Sequence, residues 1–144
     1  MIEYIVTGGT GWLGKNLVDI LLSGSPDFDN VSLLGEGKKI RVLCLASELS
    51  EAKSHANPQV EYVAGDITEK RTLEPLFQEA EGATLIHLAG LIHPKLWVSD
   101  FDKVNFVGTR NVVELAIQSK IKKSVVMSSN SPFGCNPNNE HLFT

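Results

Sequence analysis

The sequence predicts an α/β fold with a doubly wound parallel sheet, and three patterns lead to this prediction. Five short apolar runs have the near-continuous apolar character of strands that are covered on both faces. Helical patterns alternate with these runs, and a glycine-rich turn follows the first of them. With right-handed crossovers, the alternation predicts the strand order 3-2-1-4-5. The predicted strands are Ile2–Val6, Ile40–Leu45, Val60–Val63, Thr84–Leu88 and Ser124–Met127.

Four helices are predicted between the strands. Short helices are expected over residues 47–55 and 68–80, and Pro75 falls in the first turns of the second, where its missing N–H is harmless. In the last helix, Gly108 offers a point of close approach. The apolar positions with helical spacing are Trp12, Leu13, Leu17, Val18, Leu21 and Leu22 in the first helix, and Phe101, Val104, Gly108, Val112, Leu115 and Ala116 in the last.

Length and composition fit one globular domain over residues 1–144, with 42% hydrophobic and 21% charged residues. The net charge of −4 argues against a nucleic-acid-binding surface. No apolar run approaches the roughly 20 residues of a membrane span. Because a strand is predicted within two residues of Met1, no signal peptide is expected. Two cysteines without a C-x-x-C unit fit a reducing compartment, so a cytoplasmic location is expected.

The glycine-rich turn is the motif that carries the most chemistry. Residues 7–14 contain G-x-G-x-x-G from Gly9 and G-x-x-G-x-x-G from Gly8, between a predicted strand and a predicted helix. This is the context in which such glycines bind a dinucleotide, because they permit a tight turn and close approach of the backbone to a pyrophosphate. The N-terminus of the new helix favours phosphate. The alternative is a glycine turn without a ligand.

Further candidates follow strands 3, 4 and 5, where a doubly wound sheet binds its ligand. Asp66, after strand 3, can accept a hydrogen bond from an adenine amino group, cap the following helix, or do both. Small residues at 88–90 let the chain pass close to a ribose. Asn105 is unfavourable within a helix by propensity, which favours a specific bonding role. The segment Ser128–Ser131 offers hydroxyls to the cleft or forms an ordinary serine-rich turn.

Together these segments resemble the extended short-chain dehydrogenase/reductases, also called the NAD-dependent epimerase/dehydratase family. The resemblance covers nearly the whole chain, in the family's order: TGGTGWLG (7–14), GDIT (65–68), HLAG (87–90), VNFVGTRNVVELA (104–116) and VVMSSNSPFG (125–134). It implies a Rossmann-type fold and a dinucleotide cofactor.

The resemblance also implies roles for individual residues. Ser129 falls at the catalytic serine, which hydrogen-bonds the reacting oxygen of the substrate. Asn105 matches an asparagine that supports the active-site water and backbone. The implied cofactor contacts are Gly8, Gly11 and Gly14 with the amides of Trp12 and Leu13 for the pyrophosphate, Asp66 and Ile67 for the adenine, and Leu88, Ala89 and Gly90 for the ribose.

The sequence departs from the family in one respect. The family's catalytic pair is a tyrosine followed four residues later by a lysine, downstream of the serine. The two tyrosines here are Tyr4 and Tyr62, and the residues four positions on are Gly8 and Asp66. We therefore expect the chain to be the N-terminal part of a longer enzyme and to have negligible oxidoreductase activity alone. An incomplete sheet would leave strand 5 as an open edge, which makes a homodimer a candidate assembly.

Cofactor choice is left open by the end of strand 2. An acidic residue there favours NAD and a basic residue favours NADP, but Leu45 occupies the position and Glu48 lies further along. Family frequency favours NAD, with NADP as the alternative. No metal site is expected, because the four histidines and two cysteines lack ligand spacing. Gly14-Lys15-Asn16 lacks the hydroxyl of a P-loop.

Two functions compete on these grounds. The first is the NAD(P)-binding portion of an epimerase, dehydratase or dehydrogenase that acts on a hydroxyl or keto group of a nucleotide sugar or sterol-like substrate. The second is a non-catalytic NAD(P)-binding module that regulates or supports a partner. Saturable cofactor binding separates either of them from a fragment that binds nothing.

Overall fold

The computed structural model describes residues 1–25, 27, 34–54, 57–92 and 99–128. Within them, five strands form one parallel sheet in the order β3-β2-β1-β4-β5, which confirms the predicted topology. Each strand lies within one residue of its predicted bounds. The strands are β1 Ile2–Thr7, β2 Lys39–Cys44, β3 Val60–Ala64, β4 Thr84–His87 and β5 Lys123–Val126.

Two helices, α1 and α2, connect the first three strands. Helix α1 spans Trp12–Ser23 and α2 spans Leu49–Ser54. The apolar face of α1 begins later than the spacing predicted, because Trp12 is 77% exposed and the buried positions are Gly14, Val18 and Leu21.

The helix expected over 68–80 is two shorter pieces, a 3-10 turn at Lys70–Leu73 and helix α3 at Glu74–Phe77. Pro75 is in the first turn of α3 as predicted. It cannot donate a backbone hydrogen bond to the preceding turn, so the α-helix starts anew around it.

The last predicted helix is likewise divided, in this case into three parts. These are α4 at Ser99–Phe101, a π-helical segment at Asp102–Gly108, and α5 at Thr109–Gln118. Gly108 is the predicted point of close approach, since a Cβ there would lie 2.7 Å from the side chain of Ile67.

Two apolar cores lie on opposite faces of the sheet, as alternation along parallel strands requires. Ile5 of β1 points into the core under α3 and α5, and its neighbour Val6 points into the core under α1. Five residues in each core illustrate the packing: Ile5, Leu73, Leu76, Leu85 and Val112 in the first, and Val6, Val18, Leu21, Ile40 and Val42 in the second.

Arg41 on β2 is a buried cation that fixes the end of α3. Its Nη1 donates to the carbonyl oxygens of Leu76 (3.1 Å) and Gln78 (2.6 Å), and its Nη2 donates to Glu61 at 3.3 Å. The carbonyls at the end of a helix lack intrahelical donors, so the guanidinium satisfies them. Arg41 is therefore structural and lies outside the candidate site.

Strand β5 is at the edge of the sheet, where all four of its residues are exposed. In the part of the chain that is described, it pairs with β4 alone. Val125 and Val126 are 44% and 42% exposed. No helix in the described ranges is both long enough and apolar enough to cross a bilayer.

Candidate functional site

A cleft of about 510 Å³ opens at the carboxyl ends of strands β1 to β4. This is the edge at which doubly wound sheets bind their ligands, because the crossovers diverge there. The cleft is lined by Gly8, Thr10, Leu43, Cys44, Leu45, Glu48, Gly65, Asp66, Ile67, Thr68, Ala89, Gly90, Leu91, Asp100, Lys103 and Val104.

Gly8 begins the turn at the centre of this edge. Its φ of +71° is in the left-handed region that favours glycine. A Cβ at this position would lie 2.7 Å from the backbone nitrogen of Ala89. Glycine is thus required at this position for two reasons: the positive φ of the turn, and the close contact between the β1 turn and the chain that leaves β4.

The N-terminus of α1 follows directly and is free of competing groups. Gly11 precedes the helix, no side chain caps it, and its first turn has no acidic residue. The amides of such a first turn have no intrahelical partner and carry the positive end of the helix dipole. A Cβ at Gly14 would collide with the carbonyl oxygen of Gly8. Glycine at this position therefore brings the helix end against the turn.

Asp66 lies at the end of β3, where its carboxylate closes a tight turn. Oδ1 accepts hydrogen bonds from the backbone nitrogen and the hydroxyl of Thr68, both at 2.8 Å. The 3-10 helix itself begins at Lys70 and is preceded by Glu69, so the side chain of Asp66 caps the turn before the helix and not its first residue. The turn holds Asp66 at the cleft and leaves Oδ2 as a further acceptor.

The other residues at the strand ends differ in how they face the cleft. Ile67 lines it but is only 6% exposed and belongs to the core under α5, with its carbonyl held by Asn111 at 2.9 Å. Ala89 and Gly90 line it through backbone and small side chains. Leu88 packs on the core under α1 instead, and its N–H donates to the Thr7 carbonyl.

A buried polar relay supports the Gly8–Ala89 contact, and sequence reasoning missed it. Thr7 and His87 are register partners on β1 and β4. The Thr7 hydroxyl oxygen lies 2.6 Å from Nδ1 of His87 and accepts the N–H of Ala89 at 3.2 Å. On the other side of the ring, Nε2 lies 3.0 Å from the hydroxyl of Thr109.

Burial lowers the pKa of His87 from its ordinary value of 6.5, which keeps the imidazole neutral near pH 7. Its tautomer follows from the partners. The Thr7 oxygen already accepts the Ala89 N–H and its own proton has Nδ1 within reach, so we assign the imidazole proton to Nε2, which then donates to Thr109. The relay ties β1, β4 and α5 together beneath the cleft.

Asn105 lies in the π-helical segment and bonds to the chain after β4. Its Oδ1 accepts the N–H of Leu91 at 2.7 Å, and its Nδ2 donates to the Leu91 carbonyl at 2.9 Å. The expected specific bonding role is thus a two-point clamp on backbone. π-Helical turns are frequent at functional sites, and this one also brings Lys103 to the cleft wall.

Two further groups reach the cleft from β2 and the turn that follows it. Glu48 Oε2 accepts the hydroxyl of Thr10 at 3.0 Å and the N–H of Leu45 at 3.2 Å. Burial, and then the charge of Glu48, raise the pKa of the Cys44 thiol. A thiol held protonated in this way is unsuited to nucleophilic attack.

The structure brings together some of the predicted site residues. Gly8, Asp66, Ile67, Ala89 and Gly90 line the cleft. Ser129 lies outside the described residues. The predicted residues that do not line the cleft are Gly11, Trp12, Leu13, Gly14, Leu88 and Asn105. In the described ranges, no group of three or more His, Cys, Asp or Glu side chains is placed to hold a metal ion.

Comparisons with known proteins agree with this architecture. The chain is 39% identical over 140 residues to the uncharacterized protein y4nL of Sinorhizobium fredii, a match that covers 97% of this chain and 38% of that protein. It is 33% identical to the 3 beta-hydroxysteroid dehydrogenase type 7 of Rattus norvegicus, with 94% and 38% covered. The chain thus spans a little over a third of these relatives.

A solved structure of similar fold is the Thermus thermophilus UDP-glucose 4-epimerase in complex with NAD. It has a TM-score of 0.65 and 26% identity, with 90% of this chain and 38% of that chain covered. The family model that matches the chain extends over residues 4–143, from the first strand to the segment after the last. The chain belongs to the NAD dependent epimerase/dehydratase family.

Proposed function

We propose that this chain is the NAD-binding portion of an oxidoreductase of the epimerase, dehydratase or dehydrogenase type. The observation that carries the proposal is the β1 turn: Gly8 packs on the Ala89 backbone at the cleft, beside the uncapped N-terminus of α1. Glycines and unpaired amides in this arrangement suit a pyrophosphate, which needs hydrogen-bond donors close to the backbone.

The residues that would hold the dinucleotide follow from this placement. Asp66 and Ile67 would flank the adenine, with Asp66 Oδ2 as an acceptor for the amino group. Leu88, Ala89 and Gly90 would lie along the ribose next to the nicotinamide. The pyrophosphate would bind at Gly8, Gly11, Trp12, Leu13 and Gly14.

The proposed chemistry is hydride transfer between a bound nicotinamide and a carbon of the substrate. The nicotinamide would accept the hydride from a hydroxyl-bearing carbon or donate it to a keto carbon. Ser129 would hydrogen-bond the reacting oxygen. Asn105 would support the active-site water and backbone, and its two hydrogen bonds to Leu91 are compatible with this role.

The substrate class proposed is a nucleotide sugar or a sterol-like alcohol. Support comes from two proteins similar to this chain, one named a UDP-glucose 4-epimerase and the other a 3 beta-hydroxysteroid dehydrogenase. The Thermus enzyme was solved with NAD, which supports NAD as the cofactor.

Titration of the purified chain with NADH, followed by nicotinamide fluorescence and by competition with 5′-ADP, tests the proposal. We expect saturable binding that ADP displaces, because the adenosine and pyrophosphate contacts are all on this chain. A dissociation constant of about 1 mM is already weak for a specific site. The absence of saturable NADH binding up to that concentration would overturn the proposal.

A further inference from the structure

We propose that Glu48 makes this site selective for NAD over NADP, although the position that usually decides the choice is Leu45. This inference rests on the proposed function and concerns the same cleft. It names the residue that discriminates the 2′-hydroxyl of the adenosine ribose from a 2′-phosphate.

The first step is the position of Glu48. The turn after β2 is closed by the Glu48 N–H, which donates to the Leu45 carbonyl at 2.9 Å. The same turn returns the side chain to Leu45, so that Oε2 accepts the Leu45 N–H. The carboxylate is thereby held at the carboxyl end of β2, where an acidic residue contacts the adenosine ribose in dinucleotide-binding folds.

The second step is that the carboxylate is fixed toward the glycine turn. Thr10, which lies in that turn and lines the cleft, donates its hydroxyl to Oε2 at 3.0 Å. Both hydrogen bonds engage Oε2, which leaves Oε1 as an acceptor for a ribose hydroxyl. Glu48 is half-buried, so its charge is less screened than that of a fully exposed group.

The third step is the charge around Glu48. Glu48 and Thr10 line both the cleft and a second cavity of about 330 Å³. Apart from Glu48 itself, the charged residues that line the second cavity are Lys15, Asp19 and Glu51, and those that line the cleft are Asp66, Asp100 and Lys103, so carboxylates outnumber cations in both. A 2′-phosphate carries about −1.5 to −2 charge at pH 7 and would enter an environment of the same sign. A hydroxyl would instead donate to the carboxylate.

The experiment compares the dissociation constants of NADH and NADPH, measured by fluorescence titration, for the unmodified chain and for Glu48→Gln. We expect the unmodified chain to prefer NADH by at least about tenfold, as like charges at close range require. Glu48→Gln removes the charge and preserves the shape, so we expect the preference to shrink by about fivefold or more. Glu51→Gln is the matched control, because it removes a carboxylate from the second cavity alone. We expect the Glu51→Gln variant to keep a larger preference for NADH over NADPH than the Glu48→Gln variant.

A second measurement needs no variant and covers the case in which Glu48→Gln fails to fold. Binding of 5′-ADP and 2′,5′-ADP to the unmodified chain isolates the 2′-phosphate. We expect 5′-ADP to bind more tightly, with a difference that narrows as salt screens the repulsion.

The outcomes are distinct. A preference for NADH that Glu48→Gln reduces supports the inference. Equal affinities in the unmodified chain, a preference for NADPH, or a preference that Glu48→Gln leaves unchanged would overturn it while leaving cofactor binding intact. Failure of both dinucleotides to bind would overturn the proposed function itself, and this inference with it.

Discussion

Among single residues, Gly8 has the clearest structural requirement. It adopts a positive φ and also has no room for a side chain against Ala89. Gly37 separates these two requirements, since its φ is +74° but a Cβ added there would meet no atom within 4 Å. The two glycines therefore form a matched pair for a mutational test.

We expect Gly37→Ala to lower the free energy of unfolding by about 1 kcal/mol, the usual cost of a left-handed alanine, and to leave NADH affinity unchanged. Gly8→Ala has the same backbone cost and also pushes the β1 turn away from Ala89. We expect it to weaken NADH binding by at least about tenfold, since a displacement of about 1 Å at a binding group has large effects. Urea denaturation and NADH titration of both variants check this; equal losses of affinity would contradict it.

His87 gives a second test, through pH. Its pKa is lowered in the folded protein, so below its ordinary value of 6.5 the unfolded state binds a proton that the folded state does not. This contribution to stability is fully present above pH 6.5 and is lost as the pH falls toward the folded pKa. We expect His87→Gln to be destabilised by about 1–3 kcal/mol at neutral pH, because Thr7 and Thr109 lose a buried partner.

The pH dependence is what distinguishes titration from simple damage. The stability difference between the unmodified chain and His87→Gln should shrink as the pH is lowered from about 7.5 to 5.5, through the ordinary titration range of histidine. Urea denaturation at both pH values measures it. A difference that is independent of pH would show that the imidazole does not titrate as inferred.

In the secondary structure, local patterns predict the existence of each element better than its form. Pro75 lies in a first helical turn as predicted, yet the segment around it divides into a 3-10 turn and a short helix. The helix with Gly108 and Val112 on its buried face widens into a π-helical segment over Asp102–Gly108. The hydrogen bonds from Asn105 to Leu91 span 14 residues, and helical periodicity does not encode them.

Asn105 allows this segment to be tested. We expect Asn105→Ala to increase hydrogen exchange at the Leu91 amide and to weaken NADH binding, because the two-point clamp after β4 is lost. Asp102→Ala is the control, since Asp102 is an exposed residue of the same segment that does not line the cleft. Exchange at Leu91 that is the same in both variants would show that the clamp does not order this backbone.

For the chain as a whole, β5 presents an exposed face and, among the described residues, an edge that pairs with no further strand. Such an edge is a template for pairing with another chain, and a charged side chain on it blocks pairing. We expect this chain to associate in a concentration-dependent way and Val125→Lys to reduce the association, as measured by light scattering. Ile117→Lys is the matched control, because Ile117 is 73% exposed on α5. An equal effect of both substitutions would place the interface elsewhere.

A second expectation at this level concerns catalysis. The chain has no tyrosine followed four residues later by a lysine, and a positioned acid/base contributes about 10²–10⁴-fold to a rate. We expect this chain to bind NADH without oxidising or reducing alcohols or ketones at an enzymatic rate. Hydride transfer changes the nicotinamide absorbance at about 340 nm. Following this absorbance with nucleotide-sugar and sterol substrates checks the expectation. Turnover typical of the family would refute it.

Local sequence patterns determined the strands, their order, the glycine turn and much of the two cores. The strands and the turn depend on residues a few positions apart, whose apolar spacing and backbone preferences act at short range, and the strand order follows from their alternation with helices. The tertiary structure alone decided that Glu48 reaches Thr10, 38 positions earlier, and that Thr7 meets His87, 80 positions later. These contacts arise from strand register and from a turn that folds back on itself. The pairing of β1 with β2 and with β4 brings the distant residues of each contact together, and no local pattern encodes that pairing.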